Sequence, residues 1–306
     1  MTRLKGFTDA APYRGGFLSI GNFDGVHLGH QRIIRKLVES ARNVGQPAVV
    51  LTFEPHPLTL LRPEVAPPRL TTADSKAELL QELGVDVIIE YPTDRDMLEM
   101  LPQEFFDRIV LDELQACGMV EGPNFYFGHG RAGDIHTLRM LCSQKQLDFH
   151  VVEASLNDGR PVSSSRIREA LQDGDIATAS LFLGREYAVR GIVERGAGRG
   201  RSLGYPTANL GQIETLLPAD GVYAGWARID DTRHPAVAHF GTNPTFSDDT
   251  RKFEIHLLDH HSDLYDQRMS FAFVSRLRPP QQFESVDKLK TQIQQDIESA
   301  RSVLGP

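Results

Sequence analysis

Two histidines three residues apart, in a stretch with three glycines, are the first side chains in this sequence that invite chemistry: GNFDGVHLGH, residues 21–30. Three readings compete. His27 and His30 on one helical face, with Asp24 nearby, suit part of a metal site. Zinc asks for four ligands, however, and no further Cys, His or carboxylate cluster follows. A tight turn with solvated histidines is the plainest reading. A phosphate cradle uses more of the residues. Gly21, Gly25 and Gly29 permit sharp turns and close approach of backbone to ligand. A helix starting near Leu28 offers free N–H groups to an anion. Two imidazoles there can donate to phosphate oxygens, most strongly in a transition state. The G-x-x-x-x-G-K-[ST] pattern and its lysine are missing, so this is not a P-loop. The residues favour a nucleotide handled with histidine assistance.

Other stretches carry related chemistry. In VSSSRIREAL (162–171), serines before a helix can cap it and bond phosphate oxygens, and Arg166 and Arg168 bring forked cationic donors. The alternative is a capped surface helix with solvated arginines. EGPNFYFGHGRAGD (121–134) offers Asn124, both donor and acceptor, followed by Phe125, Tyr126 and Phe127, which pack a ligand ring or simply the core. In TFEPHP (52–57) prolines stiffen the loop that carries His56. RGAGRGRSLGYPTANL (195–210) reads either as a plain loop or as a flap that brings backbone and arginines to phosphates. Thr207 and Asn209 are two apart, so an extended chain points both the same way, a set of hard oxygen ligands suited to magnesium. In KFEIHLLD (252–259), Glu254 and His256 alternate with Phe253, Ile255 and Leu257, which by itself describes a solvated strand face.

The elements that must position these residues fall into two halves. FLSI (17–20), AVVLTF (48–53), VDVIIE (85–90), MVEG (119–122) and FHVVE (149–153) read as strands, and residues 28–42, 72–83, 94–115 and 134–146 as helices. The proline-rich run 55–68 reads as loop. This alternation predicts a parallel sheet covered on both faces. From Arg185 the apolar runs shorten: YAVRGIV, GVYAGWARI, AVAHF, KFEIHLL and MSFAFV predict a small antiparallel barrel or sandwich. Apolar positions at Val286, Leu289, Ile293, Ile297 and Val303 add an amphipathic terminal helix. The boundary is expected near 180–186, giving domains 1–183 and 184–306. The net charge of −8 argues against bulk electrostatic binding of nucleic acid or anionic membrane. No run is apolar enough to span a bilayer, the first residues lack the apolar core of a signal peptide, and two cysteines suit a reducing cytoplasm.

Together the motifs are specific. HLGH (27–30) resembles the H-x-G-H motif of nucleotidylyltransferases, and GNFDGVHLGHQ with TFEPHP resembles the N-terminal domain of bacterial bifunctional riboflavin kinase/FAD synthetases. VSSSRIR is similar to that family's [IV]-S-S-T-R-I-R segment, with Ser165 where threonine is frequent, and GPNFYFG to its G-x-[DN]-F-x-F-G segment. GYPTAN resembles the G-[FIY]-P-T-A-N motif of riboflavin kinases, and FEIH their E-x-H segment. The resemblance spans about residues 15–304. It implies an α/β plus β chain: a Rossmann-like nucleotidylyltransferase domain with a parallel sheet, then a small antiparallel β-barrel with a terminal α-helix.

The resemblance also implies roles. Gly21, Asn22, Phe23, Gly29, Asn124, Ser163, Ser164 and Arg166 would bind nucleotide and phosphate in the first domain, and Gly196, Arg199 and Gly204 in the second. Asp24, His56, Asn124, Tyr223 and Arg278 would lie on the flavin side, Thr207 and Asn209 would hold Mg2+, and His27, His30, Arg168 and Glu254 would be catalytic. The substrates would be riboflavin, FMN and ATP, the products FMN and FAD. Adenylyl transfer needs no general base, because the FMN phosphate is mostly dianionic at pH 7, with a second pKa of about 6. Phosphorylation of a ribityl hydroxyl benefits from one, and Glu254 matches the family's glutamate, with His256 in support. The sequence departs from the family at Asp266, often glycine, at Pro280, often glutamate, and at His239, where an Asn-hydrophobic pair is usual. These changes bear on loop conformation and flavin affinity. Three rivals remain: a nucleotidylyltransferase for another phosphate acceptor, a kinase with an inactive first domain, and a non-enzymatic flavin-binding protein.

Overall fold

The structure is a computed structural model. It describes all residues except 197, 231, 244–247, 261 and 306, and leaves out the side chains of 199, 243, 248 and 249. The Arg199 side chain, expected at phosphate, therefore lies outside the described residues. The chain divides into two compact units, Met1–Ser163 and Ser164–Pro306.

The first unit alternates strand and helix: β1 (Thr2–Lys5), β2 (Phe17–Ile20), α1 (Leu28–Asn43), β3 (Ala48–Glu54), α2 (Pro57–Leu61), α3 (Ala73–Glu82), β4 (Val87–Pro92), α4 (Arg95–Glu99), α5 (Pro102–Phe105), β5 (Gly118–Glu121), α6 (Ile135–Gln144) and β6 (Asp148–Val151). A short antiparallel pair follows, β7 (Leu156–Asn157) and β8 (Arg160–Pro161). The main sheet runs β1-β4-β3-β2-β5-β6, with every pairing parallel. Alternate residues of each strand face opposite layers, the period-2 rule of an extended chain. Phe17, Ala48, Val50, Ile88 and Val120 pack with Ile34 and Leu37 of α1 and Leu80 of α3. Leu18, Ile20, Val49, Leu51, Val87 and Ile89 face Phe105, Phe106, Ile109, Leu138 and Leu141. From β2 the chain steps outward to β3 and β4 on one side and to β5 and β6 on the other. That reversal makes a crevice at the carboxyl ends of β2 and β5, where open parallel sheets bind ligands.

The second unit begins with α7 (Ser164–Asp173) and α8 (Ile176–Leu183). A closed barrel follows: β9 (Tyr187–Glu194), the short helix α9 (Arg199–Leu203), β10 (Ala208–Gly211), β11 (Gly221–Ile229), β12 (Thr232–Asn243), β13 (Asp248–Leu257) and β14 (Arg268–Arg278), then α10 (Val286–Leu304). The barrel order is β10-β13-β12-β11-β14-β9, all antiparallel, and it closes through β9 and β10. Phe253, Phe271, Phe273 and Tyr223 fill the interior, with Phe271 and Phe273 edge-on at 4.9 Å. Hydrogen bonds tie α7 to this unit: Ala219 N–H donates to the Leu171 carbonyl at 2.8 Å, and Arg276 to the Asp173 carbonyl at 3.4 Å.

The fold has the expected class: a parallel α/β sheet, then an antiparallel barrel with a terminal helix. Several local expectations change. The run 55–68 holds α2 and a 3-10 turn at Pro63–Val65, because Pro57 and Pro63 stand at first helical positions where a proline lacks nothing it needs. The helical stretch 94–115 is broken at Met100 and Leu101, before Pro102. β1 and the β7–β8 pair had no sequence counterpart. In α10 the expected Val286 and Val303 are exposed, and Asp296 is buried instead.

Candidate active sites

In the first unit a pocket of about 250 Å3 opens at the crevice between β2 and β5. Its wall takes Ile20, Gly21 and Phe23 from the end of β2 and Glu121, Gly122 and Asn124 from the end of β5. His27 and His30 from the start of α1 complete it, with Ser155 and Ser163. His27 is the N-cap of α1: its Nδ1 accepts from the His30 backbone N–H at 3.3 Å. A neutral His27 therefore carries its proton on Nε2. The two imidazoles stack face to face, centroids 3.6 Å apart. Gly29 makes this possible, since a Cβ there would stand 3.0 Å from His27 Cε1. Burial, then the neighbouring charges of His27 and Lys76, hold the His30 pKa well below its ordinary value. The His30 ring is neutral in this state.

The turn before the helix is conformationally costly. Phe23 (φ 48°) and Val26 (φ 39°) both occupy the left-handed region, unusual for any side chain and most of all for a β-branched one. The Asp24 carboxylate accepts the N–H groups of Leu70 and Thr71 at 3.0 Å, and so anchors the turn to the segment before α3. Asp24 was expected on the flavin side; its carboxylate accepts these backbone groups and the Thr71 hydroxyl, at 3.1 Å. His56 caps α2, its Nδ1 accepting from Leu58 N–H at 3.1 Å. Its Nε2 lies 3.0 Å from the Asn22 side-chain Nδ2.

Three buried polar atoms of this pocket have no partner: the other end of the Asn22 amide, His30 Nδ1 and Ser155 Oγ. Buried polar groups are ordinarily satisfied, so three orphans in one concavity mark a place built for a polar ligand. Glu121 is also there, 2% exposed, accepting the Ile20 N–H at 2.7 Å. Burial pushes its carboxyl well above the usual carboxylate range, against the Ile20 N–H bond that lowers it. Sequence reasoning gave no role to Glu121, which opens the stretch 121–134, or to Ser155, which sits in no motif. Of the expected residues, Gly21, Asn22, Phe23, His27, Gly29, His30, Asn124 and Ser163 all line this pocket. Ser164, Arg166 and Arg168 lie on α7, counted with the second unit, where the Arg166 guanidinium stands over the Phe182 ring at 4.5 Å.

In the second unit a pocket of about 170 Å3 lies on the outer barrel wall under α10. Outward-facing residues of adjacent strands form its floor. Asn209 of β10 is paired with Glu254 of β13, which is paired with His239 of β12. Glu254, Thr207, His239 and His256 line the cavity, while Asn209 lines a separate pocket with Gly196; His239 Nδ1 is 4.0 Å from a Glu254 oxygen. Burial lowers the His239 pKa, and the Glu254 charge opposes that. His256 Nδ1–H donates to the Pro206 carbonyl at 2.8 Å, which fixes the segment that carries Thr207. Leu289, Ile293 and Ile297 of α10 with Phe283 make an apolar roof.

The glycine-rich stretch folds over the two expected metal ligands. A Cβ at Gly196 would meet the Asn209 side chain at 2.2 Å, and one at Gly200 would meet Thr207 Oγ1 at 3.1 Å. Gly204 ends α9 in the left-handed region, φ 93°. Two hard oxygen donors beneath close-packed backbone fit a small divalent cation shared with phosphates. Among the described residues no cluster of three His, Cys, Asp or Glu side chains could hold a metal by itself.

Two flavin-side expectations find other surroundings. Tyr223 is fully buried in the barrel core, its hydroxyl donating to the Ala219 carbonyl, while its neighbour Val222 lines the cavity. Arg278 lines the cavity but forks onto Asp296 of α10, at 2.9 Å and 2.8 Å. It pins the roof helix to the barrel. Asp266 has φ 63°, which explains why glycine is common there and aspartate is tolerated.

A nucleotide-type crevice at the switch point of a parallel sheet, in one chain with a barrel bearing a Thr/Asn/Glu wall, defines a two-domain transferase class. The comparisons with known proteins are specific within that class. The family model for FAD synthetase matches residues 10–166, and that for riboflavin kinase residues 183–304. A bifunctional riboflavin kinase/FMN adenylyltransferase of Pseudomonas fluorescens is 37% identical, over 100% of this chain and 99% of its own length. Its counterpart in Escherichia coli K12 is 36% identical, over 96% and 95%. A crystal structure described as a macrolide-efflux protein from Streptococcus pneumoniae superposes with a TM-score of 0.88 at 28% identity, covering 98% of this chain and 99% of that one. Among the described residues no helix is long and apolar enough to cross a membrane. The chain belongs to the bifunctional riboflavin kinase/FMN adenylyltransferase family, with a FAD synthetase domain followed by a riboflavin kinase domain.

Proposed function

We propose that this chain makes both flavin cofactors: the barrel phosphorylates riboflavin to FMN, and the N-terminal domain adenylylates FMN to FAD. The observation that carries the second step is the cluster of unpartnered polar atoms around the stacked histidines at the switch-point crevice.

In the barrel, the 5′-hydroxyl oxygen of riboflavin attacks the γ-phosphorus of ATP. The bond from that phosphorus to the β-phosphate oxygen breaks, ADP leaves, and Glu254 takes the hydroxyl proton. Thr207 and Asn209 would hold magnesium, which neutralises charge on the transferred phosphates. The apolar roof from α10 suits an isoalloxazine ring, with Arg278 and Asp296 setting the roof's position. Gly196, Arg199 and Gly204 are assigned to the phosphate flap.

In the N-terminal domain, a phosphate oxygen of FMN attacks the α-phosphorus of ATP and pyrophosphate leaves. No proton moves, so the task is positioning and charge stabilisation. His27 Nε2–H and His30 are the donors on the pocket side, with Asn22, Asn124 and Ser163 nearby. Ser164, Arg166 and Arg168 are assigned to the same triphosphate on the strength of the VSSSRIR motif. Asp24 and His56 support this site by holding the turn and the Asn22 amide. We assign the functional boundary to 183/184, and the cytoplasm as the compartment, where ATP is plentiful.

The test incubates purified protein with riboflavin, ATP and magnesium and separates the flavins chromatographically. FMN followed by FAD is expected. FMN without FAD refutes the adenylyltransferase half, no flavin product refutes both, and loss of product in chelator supports the magnesium assignment.

A further inference from the structure

A buried lysine stands behind the histidine turn and belongs to none of the motifs. Lys76 lies on the inner face of α3 at 7% exposure, beside Ala77 and Leu80. Burying an ammonium is unfavourable unless its donors are met. Here they are met by neutral oxygens: Nζ donates to the Asn22 carbonyl at 3.1 Å and to Thr52 Oγ1 at 3.0 Å. The charges of Glu54, Asp24 and Glu90 reach it only from further away, and burial lowers its pKa in spite of them. Hydrophobic core filling at this position would be met by leucine or methionine. A lysine here is explained by what it holds.

What it holds is the strained turn. The segment 70–76 grips that turn at three successive points. Lys76 takes the carbonyl of residue 22, the amides of Leu70 and Thr71 take the carboxylate of Asp24, and Thr71 Oγ1 takes the amide of Gly25 at 3.1 Å. Left-handed Phe23 and Val26 persist only where surroundings over-determine them. The Asn22 carbonyl is the first of these grips along the chain. Its side chain presents one of the pocket's orphan atoms, and the turn ends in His27.

We propose that Lys76 is a positioning residue for adenylyl transfer, fixing through the Asn22 carbonyl the turn that aims His27 and His30. This rests on the assignment of adenylyl transfer to the N-terminal pocket. The ammonium has a second effect by its charge. The charged groups acting on His30 are His27 on its own helix and Lys76 from α3, while Glu121 from β5, its pKa raised by burial, lines the same pocket. Burial first, and then the charges of His27 and Lys76, oppose a proton on His30, so Lys76 adds to what keeps the imidazole neutral.

The experiment uses the full-length protein and the variants Lys76→Met, Lys76→Arg and Thr52→Val. It measures FAD formation from FMN and ATP, riboflavin phosphorylation in the same preparation, and the His30 titration by NMR. Lys76→Met is expected to lower kcat for FAD formation about 30-fold, with KM for ATP within about threefold and phosphorylation unchanged. The His30 midpoint should move upward. Lys76→Arg, which keeps the charge, should recover most of the rate and return the midpoint. FAD formation within about threefold of wild type in Lys76→Met overturns the proposal. So does a lost rate with an unmoved midpoint and no recovery in Lys76→Arg, which is the behaviour of a packing defect. If Lys76→Met does not fold, Thr52→Val decides. It keeps the charge and removes one tether, so it should lower kcat about fivefold at an unchanged midpoint, and a wild-type rate overturns the proposal. Wild-type protein that makes FMN but no FAD refutes the underlying assignment instead.

Discussion

Gly29→Ala separates the stability of α1 from the chemistry at its N-terminus. A Cβ at residue 29 would lie 3.0 Å from His27 Cε1 and 3.2 Å from Nδ1, where ordinary contact begins near 3.4 Å, so the ring must move about 0.4 Å. It has little room to do so. One face is stacked on His30 at 3.6 Å, and Nδ1 is held by the His30 N–H at 3.3 Å. For the helix, the exchange gains up to about 1 kcal/mol of propensity, less in a first turn. Weakening the cap bond costs about 1 kcal/mol. Net stability should therefore change by less than about 1 kcal/mol, in either direction. Catalysis is less forgiving. A 1 Å misplacement is worth about 100-fold, so a shift of 0.4 Å in one of two donors should cost roughly 10-fold in kcat/KM, or about 1.4 kcal/mol. The assay is FAD formation from added FMN, with riboflavin phosphorylation and thermal melting as controls. A folded Gly29→Ala protein that makes FAD within twofold of wild type would refute the reasoning that Gly29 is there to let His27 lie back over the helix.

Glu254→Gln should lower FMN formation by about 10²–10⁴-fold and leave FAD formation from added FMN intact, whereas His30→Ala should do the reverse by about 10²–10³-fold; chromatography of the flavins reads both. Asp296→Ala leaves Arg278 unpaired beneath α10, and should cost about 2–4 kcal/mol in denaturant unfolding and raise KM for riboflavin more than KM for ATP. Glu121 binds a proton in the folded protein that the unfolded chain releases above its ordinary pKa of 4.5, so its contribution to stability is full below that value and declines as pH rises. Glu121→Gln, which can still accept the Ile20 N–H, should therefore melt higher than wild type at pH 8 and flatten the pH dependence; an unchanged dependence between pH 5 and 8 argues against a protonated carboxyl.

How much of this was legible follows from where each partner lies in the chain. The sheet strands were readable because burial on both faces makes near-continuous apolar runs, as in AVVLTF and VIIE. The barrel strands were readable from alternation, and Glu254 and His256 do face away from buried Phe253, Ile255 and Leu257. β1 was missed because TRLK shows too few apolar residues for a pattern, and it exists by pairing with β4 at the sheet edge. The terminal helix was legible, and Leu289, Ile293 and Ile297 do face the barrel, but the buried Asp296 among them was not. Asp296 is inside because Arg278 meets it from another strand, a partner no periodicity reveals. Tyr223 and Arg278 were assigned by resemblance, and only the packing shows that one fills the core and the other braces a helix.

The two sites share a construction that explains which parts a motif can announce. In each, glycine lets backbone press against a chemical side chain: Gly29 beneath His27, Gly196 against Asn209, Gly200 against Thr207. These demands are local, so they leave short patterns such as HLGH and GYPTAN. The groups that hold those patterns in place act across the chain. Lys76 reaches Asn22 over 54 residues, Glu121 reaches Ile20 over 101, and His256 reaches Pro206 over 50. Their partners are not announced by the immediate sequence, even for His256 inside FEIH, because what they need is an oxygen or an N–H delivered by the fold. The chemical side chains stand at the ends or on the walls of regular elements, and the strained backbone is confined to the turn between them. Precision then depends on the supporting contacts as much as on the motif. A change at Lys76 or Asp296 should weaken its own half-reaction and spare the other, since each acts within one unit.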